Sequence, residues 1–217
     1  MEKTANKTKA HQRYKLRSGE IVPGVTTICG LRAKPFLVPW ANKLGLRGID
    51  SAKYVDEKAD IGSLAHLMVQ NHLQNKSTDT SEYSQFVIDQ ANNCYMKFLN
   101  WEKKHTLEPI FLEKELVSEG ERFGGCIDYY GKVDGVLELL DFKTAKAIWN
   151  EVNYQLAGYE ILLESEFLEV DNRRILRIGR TEDEGFEEKE RRDLTLQKVI
   201  FRALLTIYNT EKLLKKE

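Results

Sequence analysis

The chain has 217 residues, a length that suits one sizeable domain, and 41% of them are hydrophobic, which is enough to build a core. The net charge of −1 excludes a strongly basic protein of the kind that binds nucleic acid through its overall charge. No apolar run reaches the roughly 18 residues of a membrane helix. The charge is unevenly divided: residues 1–50 carry ten Lys and Arg against three acids, and the remainder carries 23 against 31. This division indicates either a polyanion-binding wall beside a metal-binding centre or, for residues 1–17, a solvated basic tail.

The three cysteines, Cys29, Cys94 and Cys126, are odd in number and far apart, and no Cys-x-x-Cys motif occurs. This spacing argues against a disulfide framework, a zinc site and an all-cysteine iron–sulfur cluster. Free cysteines fit a reducing compartment, and no signal peptide is predicted at the start of the chain. We therefore expect a soluble cytoplasmic protein without an iron–sulfur cluster.

The first half of the chain is predicted to be mostly helical. Residues 1–12 are polar and are expected to be flexible, and residues 14–29 indicate a short extended piece, a turn and a second element. Apolar residues at helical spacing predict three helices, at residues 35–45, 60–73 and 83–105. Residues 13–105 are thus expected to form a basic, mostly helical part.

The second half changes character. Three strands are predicted at residues 109–118, 123–133 and 136–144, and Asp134-Gly135 is a strong two-residue hairpin turn between the last two. The elements that follow are a helix at 147–165, a strand at 173–180, an acidic loop at 181–193 and a closing helix at 194–214. This order predicts an α/β fold in one domain over residues 1–217, with a small central mixed sheet and closing helices in residues 106–217.

The predicted hairpin brings two acids face to face. If Asp134-Gly135 is a two-residue turn, the strand pairing runs back until Asp128 lies opposite Asp141. Opposed residues have Cβ atoms roughly 4.5–5.5 Å apart, so two carboxylates there repel unless a divalent cation lies between them. The residues therefore predict a metal site, and the alternative is a structural hairpin with exposed acids.

The strand period adds a lysine and a third acid to this pair. Lys143 is two residues after Asp141 and so shares its face of the sheet. The preceding strand is expected to bring Glu115 near Asp128 if the turn at 119–122 is tight. The bare backbone of the Gly124-Gly125 pair is expected to let a phosphate approach.

Two helices carry further candidates. Gly62 stands one helical turn before His66, and Gln155 and Tyr159 are four residues apart and so share a helix face. Each of these residues taken alone is more often a packing residue. They become candidates for a functional site because of their order along the chain relative to the acids and the lysine.

These motifs in this order resemble the RecB-like branch of the PD-(D/E)XK nuclease superfamily, in particular phage exonucleases and the mitochondrial genome maintenance exonuclease. The family pattern is a Gly-x-x-x-His helix, a strand Glu, a Gly-x-x-Asp strand, an Asp-x-Lys strand and a Gln-x-x-x-Tyr helix. The matching residues are Gly62 and His66, Glu115, Gly125 and Asp128, Asp141, Lys143 and Thr144, and Gln155 and Tyr159. The resemblance spans about residues 60–165 and implies a restriction-endonuclease-like domain. CRISPR-associated members often carry four cysteines for an iron–sulfur cluster, and this chain lacks that set.

The resemblance implies a metal-dependent DNA exonuclease that hydrolyses phosphodiester bonds and prefers single-stranded ends. It implies Mg²⁺ or Mn²⁺ held by His66, Asp128, Asp141 and the backbone carbonyl of Phe142. Lys143 would orient or deprotonate the attacking water, Glu115 would complete the acidic pocket, and Gln155 and Tyr159 would position the water or the phosphate. The implied catalytic set is Glu115, Asp128, Asp141, Lys143, Gln155 and Tyr159.

The expected partner is DNA, as single-stranded or duplex ends, and no membrane is expected. Four cations of the basic part are candidates for holding the phosphate backbone: Arg32, Lys34, Lys43 and Arg47. Three aromatic residues there are either stacking partners for bases or core residues: Phe36, Trp40 and Tyr54. Two other functions stay open, namely a structure-specific or restriction-type endonuclease on the same core and a non-catalytic nucleic-acid-binding module.

Overall fold

Short strands and four helices form the part of the protein before the main sheet. The structure is a computed structural model that describes residues 13–215, so the expectation for residues 1–12 lies outside the described part. The elements are β1 (Tyr14–Lys15), β2 (Ile21–Val22), α1 (Val25–Cys29), α2 (Leu37–Gly45), α3 (Ser51–Leu73) and α4 (Gln85–Glu102). The three predicted helices correspond to α2, α3 and α4, and α3 begins earlier than expected because Asp50 caps it by accepting the N–H groups of Ala52 and Lys53.

A five-stranded mixed sheet lies at the centre of the protein. Its strands are β3 (Leu107–Ser118), β4 (Phe123–Val133), β5 (Val136–Lys143), β6 (Asn172–Ile178) and β7 (Phe186–Arg191), in that spatial order. Only β5 and β6 pair in parallel, through the crossover helix α5 (Asn150–Ser165), and α6 (Thr195–Leu214) closes the described chain. The predicted α/β fold with a small mixed sheet flanked by helices is confirmed.

Two hydrophobic layers sandwich the sheet because successive strand residues point to opposite faces. On β5, Leu139 packs into the layer of α1, α5 and α6, whereas its neighbour Leu140 packs into the layer of α3 and α4. No helix of residues 13–215 is long and apolar enough to cross a membrane. The carboxyl end of β5 lies between the two layers, so side chains from both can reach it.

The hairpin of β4 and β5 has the predicted register. Asp134 and Gly135 both have positive φ angles, 52° and 83°, as a two-residue type I′ turn requires. Val133 pairs with Val136, and the pairing continues to Tyr129 and Leu140. The pairing ends one residue before Asp128 and Asp141. There the Asp128 side chain, and not the β4 backbone, accepts the backbone N–H of Phe142.

The pairing of β3 with β4 corrects the expected position of Glu115. Ser118 pairs with Phe123, so the turn is tight as expected, but this register puts Glu115 opposite Cys126. The residue at the level of Asp128 is Glu113, which has a φ angle of 46°. A left-handed backbone at a non-glycine residue is strained and is often found at functional sites.

The segment predicted as an acidic loop at 181–193 contains the edge strand β7. Its exposed and half-buried residues are almost all charged, so no apolar alternation marks it as a strand. Cross-strand ion pairs stabilise it instead: Arg174 of β6 contacts Glu188, and Arg177 contacts Glu187. The prediction of a loop was wrong because these pairs become visible only when β6 is in place.

Candidate metal centre and active site

A histidine and two carboxylates from three different elements meet beside the end of β5. They are His66 of α3, Glu113 of β3 and Asp128 of β4, whose ligand atoms all lie within 4.8 Å of one another. His66 Nδ1 is 3.4 Å from Oε1 of Glu113 and 3.6 Å from Oδ1 of Asp128. One imidazole nitrogen and carboxylate oxygens at this spacing form a donor set that can hold a divalent metal ion.

The backbone at the end of β5 orients the imidazole. Nε2 of His66 lies 3.1 Å from the carbonyl oxygen of Phe142, so an Nε2–H donates there and Nδ1 faces the carboxylates. Gly62 allows this approach because a Cβ atom on it would lie 3.1 Å from Oγ1 of Thr144. A ring held by a carbonyl through one nitrogen is the arrangement typical of metal-binding histidines.

The electrostatic field of the site favours a cation at His66. Burial lowers the pKa of His66, but the Asp128 carboxylate, followed by Glu113, outweighs burial and raises the pKa to about 10. Without a metal ion, the imidazole is therefore protonated at neutral pH. A metal ion that binds Nδ1 must displace this proton, and it would supply the same positive charge to the same acids.

Asp128 is the anchored carboxylate of the group. Its Oδ2 accepts the backbone N–H of Phe142 at 2.7 Å, and only 9% of the residue is exposed. Burial raises the pKa of Asp128, but His66, followed by Lys143 and the Phe142 N–H, reverses this and holds the pKa below its usual value. Asp128 is therefore ionised and fixed in orientation at neutral pH.

Asp141 is the carboxylate with unmet bonding capacity. It is 1% exposed, and neither of its oxygens accepts a hydrogen bond from residues 13–215. Lys143 Nζ lies 2.5 Å from Oδ2 of Asp141 and forms an ion pair with it, which leaves Oδ1 without a partner in residues 13–215. Burial raises the pKa of Asp141 to about 6, since the lowering effect of Lys143 is smaller than burial and the charge of Asp128 adds to the rise. Such a carboxylate is costly unless a further cation or donor shares it, so the residues fit a divalent ion.

Glu113 is the member of the group that sequence reasoning missed. The position expected for Glu115 is taken by Glu113, and Glu115 is exposed on the strand opposite Cys126. Counting the pairing from a four-residue turn at 119–122 would have found it, since that register puts position 113 level with Asp128. The three-residue group does not include Asp141, so a single ion shared by Asp128 and Asp141 stays a prediction.

The helix face of Gln155 and Tyr159 reaches the same region. Gln155 Nε2 donates to the Tyr159 hydroxyl at 2.7 Å. Burial, followed by the charges of Asp141 and Asp128, raises the pKa of Tyr159 well above its usual value. The phenol is therefore neutral, and because its oxygen accepts from Gln155, its own hydrogen is free to donate.

Protein side chains fill the space beside both glycines at the start of β4, but Gly125 also lines a cavity next to Asp128, so the approach of a phosphate to this backbone stays a prediction. A Cβ atom on Gly124 would lie 2.4 Å from the Tyr14 ring. A Cβ atom on Gly125 would lie 2.9 Å from both Tyr159 and Leu162. Both glycines are needed for close packing, and the close packing at Gly125 brings Tyr159 towards Asp128.

A cavity of about 340 Å³ opens beside Asp128 and Tyr159. Its other lining residues include Arg13, Tyr14, Thr26, Cys126 and Tyr208. They come from β1, α1, β4 and α6, so no single sequence motif predicts the cavity. It gives a substrate group access to the anchored carboxylate and to the free phenol hydrogen.

The four candidate phosphate-binding cations divide into two pairs. The Arg32 guanidinium lies 4.9 Å from the centre of the Tyr154 ring, and Lys34 Nζ lies 3.4 Å from Glu151, so both contact the start of α5. Burial raises the pKa of the Cys29 thiol to about 12, with a contribution from Glu151, while Lys143, Lys34 and Arg32 lower it. All three cations are therefore close enough to this thiol to act on its pKa. The other pair, Lys43 and Arg47, is exposed at the end of α2 and in the turn after it.

The three candidate aromatic residues also divide. Trp40 and Tyr54 are half-buried and pack edge to face at 6.0 Å between ring centres, which agrees with a packing role. Phe36 is 52% exposed and stacks on Trp149, the residue that precedes α5.

No protein-family model matches the chain, and no curated protein matches it. Among solved structures, the chain is similar to the crystal structure of SSO0001, with 13% identity over 66% of this chain and 84% of that chain and a TM-score of 0.30. It is also similar to LHK-Exo in complex with dAMP, with 13% identity over 74% of this chain and 92% of that chain and a TM-score of 0.34. Similarities at this level assign neither an activity nor a family.

Proposed function

We propose that this protein is a metal-dependent nuclease that hydrolyses phosphodiester bonds in DNA, acting as an exonuclease with a preference for single-stranded ends. One observation carries the proposal: His66, Glu113 and Asp128 converge beside the buried Asp141 and its neighbour Lys143. An imidazole, three carboxylates and an ammonium group in one place provide metal ligands and a cation for a phosphate. The resemblance to RecB-like nucleases in the order of the motifs agrees with this chemistry.

Mg²⁺ or Mn²⁺ would be held by Nδ1 of His66 and by Glu113 and Asp128, and when bound it would supply a Lewis acid for a phosphate oxygen and activate a water. The Phe142 backbone fixes two of these ligands, since its carbonyl orients His66 and its N–H orients Asp128. Ligands that are oriented in advance lose little entropy when they bind.

Lys143 and Asp141 supply charge and a proton acceptor. The ion pair keeps the Lys143 ammonium at the carboxyl end of β5, where it offsets the negative charge that develops on phosphate oxygens. Asp141 lies beside this ammonium as a buried carboxylate, and it would accept a hydrogen bond or a proton from the attacking water. The hydroxyl of Tyr159 donates towards the cavity and orients the phosphate.

The test is digestion of DNA that is labelled at its ends, with linear single-stranded, linear duplex and circular single-stranded substrates, each in Mg²⁺, Mn²⁺ and EDTA. We expect the linear single strand to be degraded fastest, the circle to persist, and EDTA to stop the reaction. Cleavage of the circle would establish an endonuclease instead. Binding of DNA with no metal-dependent cleavage of any substrate would establish a non-catalytic binding module.

A further inference from the structure

Two partly exposed aromatic rings are stacked on each other at the start of α5. The rings of Phe36 and Trp149 are stacked, with centres 5.8 Å apart and planes inclined by 18°. Phe36 is 52% exposed and Trp149 is 54% exposed, so about half of each side chain remains in contact with solvent. Large aromatic side chains gain most of their stabilising energy from burial, and an open pair of them is a surface that a flat apolar group can cover.

This aromatic pair, Phe36 and Trp149, is flanked by cations. Arg32 and Lys34 precede Phe36 in the chain and contact Tyr154 and Glu151, which follow Trp149 in the first turns of α5. The two cations thus contact the first turns of the helix that begins directly after Trp149. A ligand that covers the rings meets positive charge immediately beside them, so it is expected to be both flat and anionic.

The same segment is continuous with the candidate active site. Arg32, Lys34 and Lys143 all lie close enough to Cys29 to lower the pKa of its thiol. Lys143 belongs to the proposed catalytic group, and α5, which begins directly after Trp149, carries Gln155 and Tyr159. Arg32 and Lys34 contact the first turns of this same helix, which therefore connects the aromatic pair to the proposed catalytic centre.

We propose that the aromatic pair holds an unpaired base of a single-stranded nucleic acid whose backbone runs over Arg32 and Lys34 towards Lys143. Stacking on an aromatic ring needs a free base face, which a single strand offers and an intact duplex does not. Arg32 and Lys34 bind phosphates, and phosphates carry no base information, so the site accepts any sequence. This inference rests on the proposed nuclease function and names its substrate class as single-stranded.

The experiment measures the affinity of a short oligothymidylate and of a duplex of equal length in EDTA, so that neither metal nor cleavage affects the result. Trp149→Ala and Phe36→Ala are each expected to weaken single-strand binding by roughly 5-fold to 100-fold, the range of one lost base stack. Duplex affinity is expected to change by less than about twofold. Trp149→Phe should keep most of the affinity because it retains an aromatic face.

Phe167→Ala is the matched control. Phe167 is 95% exposed but follows the other end of α5, roughly 24 Å away along a 16-residue helix. Its removal should leave single-strand affinity unchanged. An abasic position moved along the oligonucleotide should find one place where the missing base weakens binding to the unsubstituted protein but not to Trp149→Ala.

The outcomes separate this inference from the proposed function. Full single-strand affinity in folded Trp149→Ala and Phe36→Ala, or an equal loss for the duplex, would overturn the inference even if the protein cleaves DNA. A change in oligomeric state of Trp149→Ala without a change in DNA affinity would assign the aromatic pair to a protein contact and would also overturn it. Conversely, tight, Trp149-dependent binding by a protein that never cleaves DNA would support the base-binding surface and reject the nuclease.

Discussion

Two buried clusters of charge lie on the central sheet, and they are built in opposite ways. Along β6 and just after it, four arginines each contact an acid, so cations and carboxylates are matched. The pairs are Arg173 with Glu160, Arg174 with Glu138, Arg177 with Glu187, and Arg180 with Glu184. At the end of β5 and in the adjoining strands, three carboxylates share the charge of one imidazole and one ammonium group, and one of them receives no hydrogen bond from residues 13–215.

The difference teaches how to separate a structural charge cluster from a functional one. In the cluster on β6 each arginine meets a carboxylate, with geometry such as the 2.8 Å bond from Arg173 Nε to Glu160, and the one buried atom there without a partner in residues 13–215 is the neutral Asn172 Oδ1. The cluster at β5 is satisfied only by adding positive charge. A buried excess of carboxylate costs folding free energy, and proteins keep such an excess where a ligand supplies the missing charge.

The largest expected effect is on catalysis at the unsatisfied cluster. Lys143→Ala should lower the cleavage rate by roughly 10²–10³-fold, because it removes the cation that offsets charge on the phosphate. The variant should stay folded and still bind DNA, but its melting temperature should fall because the buried Asp141 loses its ion-pair partner. Lys146→Ala is the control, since Lys146 is exposed beyond the end of β5, and it should retain nearly full activity. Equal loss in both variants would remove Lys143 from the proposed mechanism.

The next effect compares the stability of the two clusters directly. Glu160→Gln removes the carboxylate that pairs with the buried Arg173, and it should cost about 3–5 kcal/mol of unfolding free energy because a buried cation is left unmatched, while Lys198 keeps Glu164 as a partner. The exposed pair of Glu121 and Arg202 provides a control, and Glu121→Gln should cost less than about 1 kcal/mol. Urea unfolding measures both values. A similar small loss in both variants would show that the β6 cluster is not a structural element of the kind described.

Removing a carboxylate from the unsatisfied cluster at β5 should raise the free energy of unfolding, whereas removing one from the β6 cluster should lower it. The pKa of Asp141 rises from 3.8 to about 6 on folding, so the folded state binds the extra proton, and stability without metal falls as the pH rises from about 4 to about 7. Asp141→Asn should remove this decline and stabilise the metal-free protein at pH 8 by about 1–3 kcal/mol. Urea unfolding in EDTA at several pH values measures it. A metal-free variant that is less stable than the unsubstituted protein at pH 8 would contradict the assignment.

Metal affinity sharpens the choice between two glutamates on β3. Glu113→Gln should weaken Mn²⁺ binding by roughly 10-fold to 100-fold, since it removes one of three converging ligands. Glu115→Gln, two residues away and exposed, should bind Mn²⁺ as the unsubstituted protein does. Calorimetric titration measures both affinities. The reverse order would restore Glu115 to the position that the sequence first indicated.

The smallest effect concerns the salt dependence of DNA binding. Replacing Arg32 and Lys34 by alanine should flatten the plot of log affinity against log salt by about one unit, at roughly 0.7 per phosphate contact on a single strand. Adding Lys43→Ala and Arg47→Ala should flatten it further, to a total of about two to three units. Arg202→Ala, which removes an ion-paired arginine from a different element, α6, is the control for loss of positive charge alone. An unchanged slope in the fourfold variant would mean that these cations are only a solvated surface.

Local rules in the sequence were sufficient for the hairpin and for the order of the elements. Asp134-Gly135 specifies a two-residue turn because few residues adopt positive φ angles at both positions, and this turn alone brings Asp128 and Asp141 level. The four-residue spacing of Gln155 and Tyr159 likewise put them on one helix face, where they form a hydrogen bond. In each case the partners are close in sequence, so backbone geometry relates them directly.

Only the tertiary structure decided which side chains complete the site. Glu113 joins it because the register of β3 depends on the turn before β4 and on a left-handed residue, neither of which a motif specifies. His66 and the Phe142 carbonyl meet across 76 residues, and Phe36 meets Trp149 only because the α1–α2 segment packs on α5. Contacts of this kind depend on how elements pack against each other, since no local dihedral or propensity relates residues so far apart in the chain.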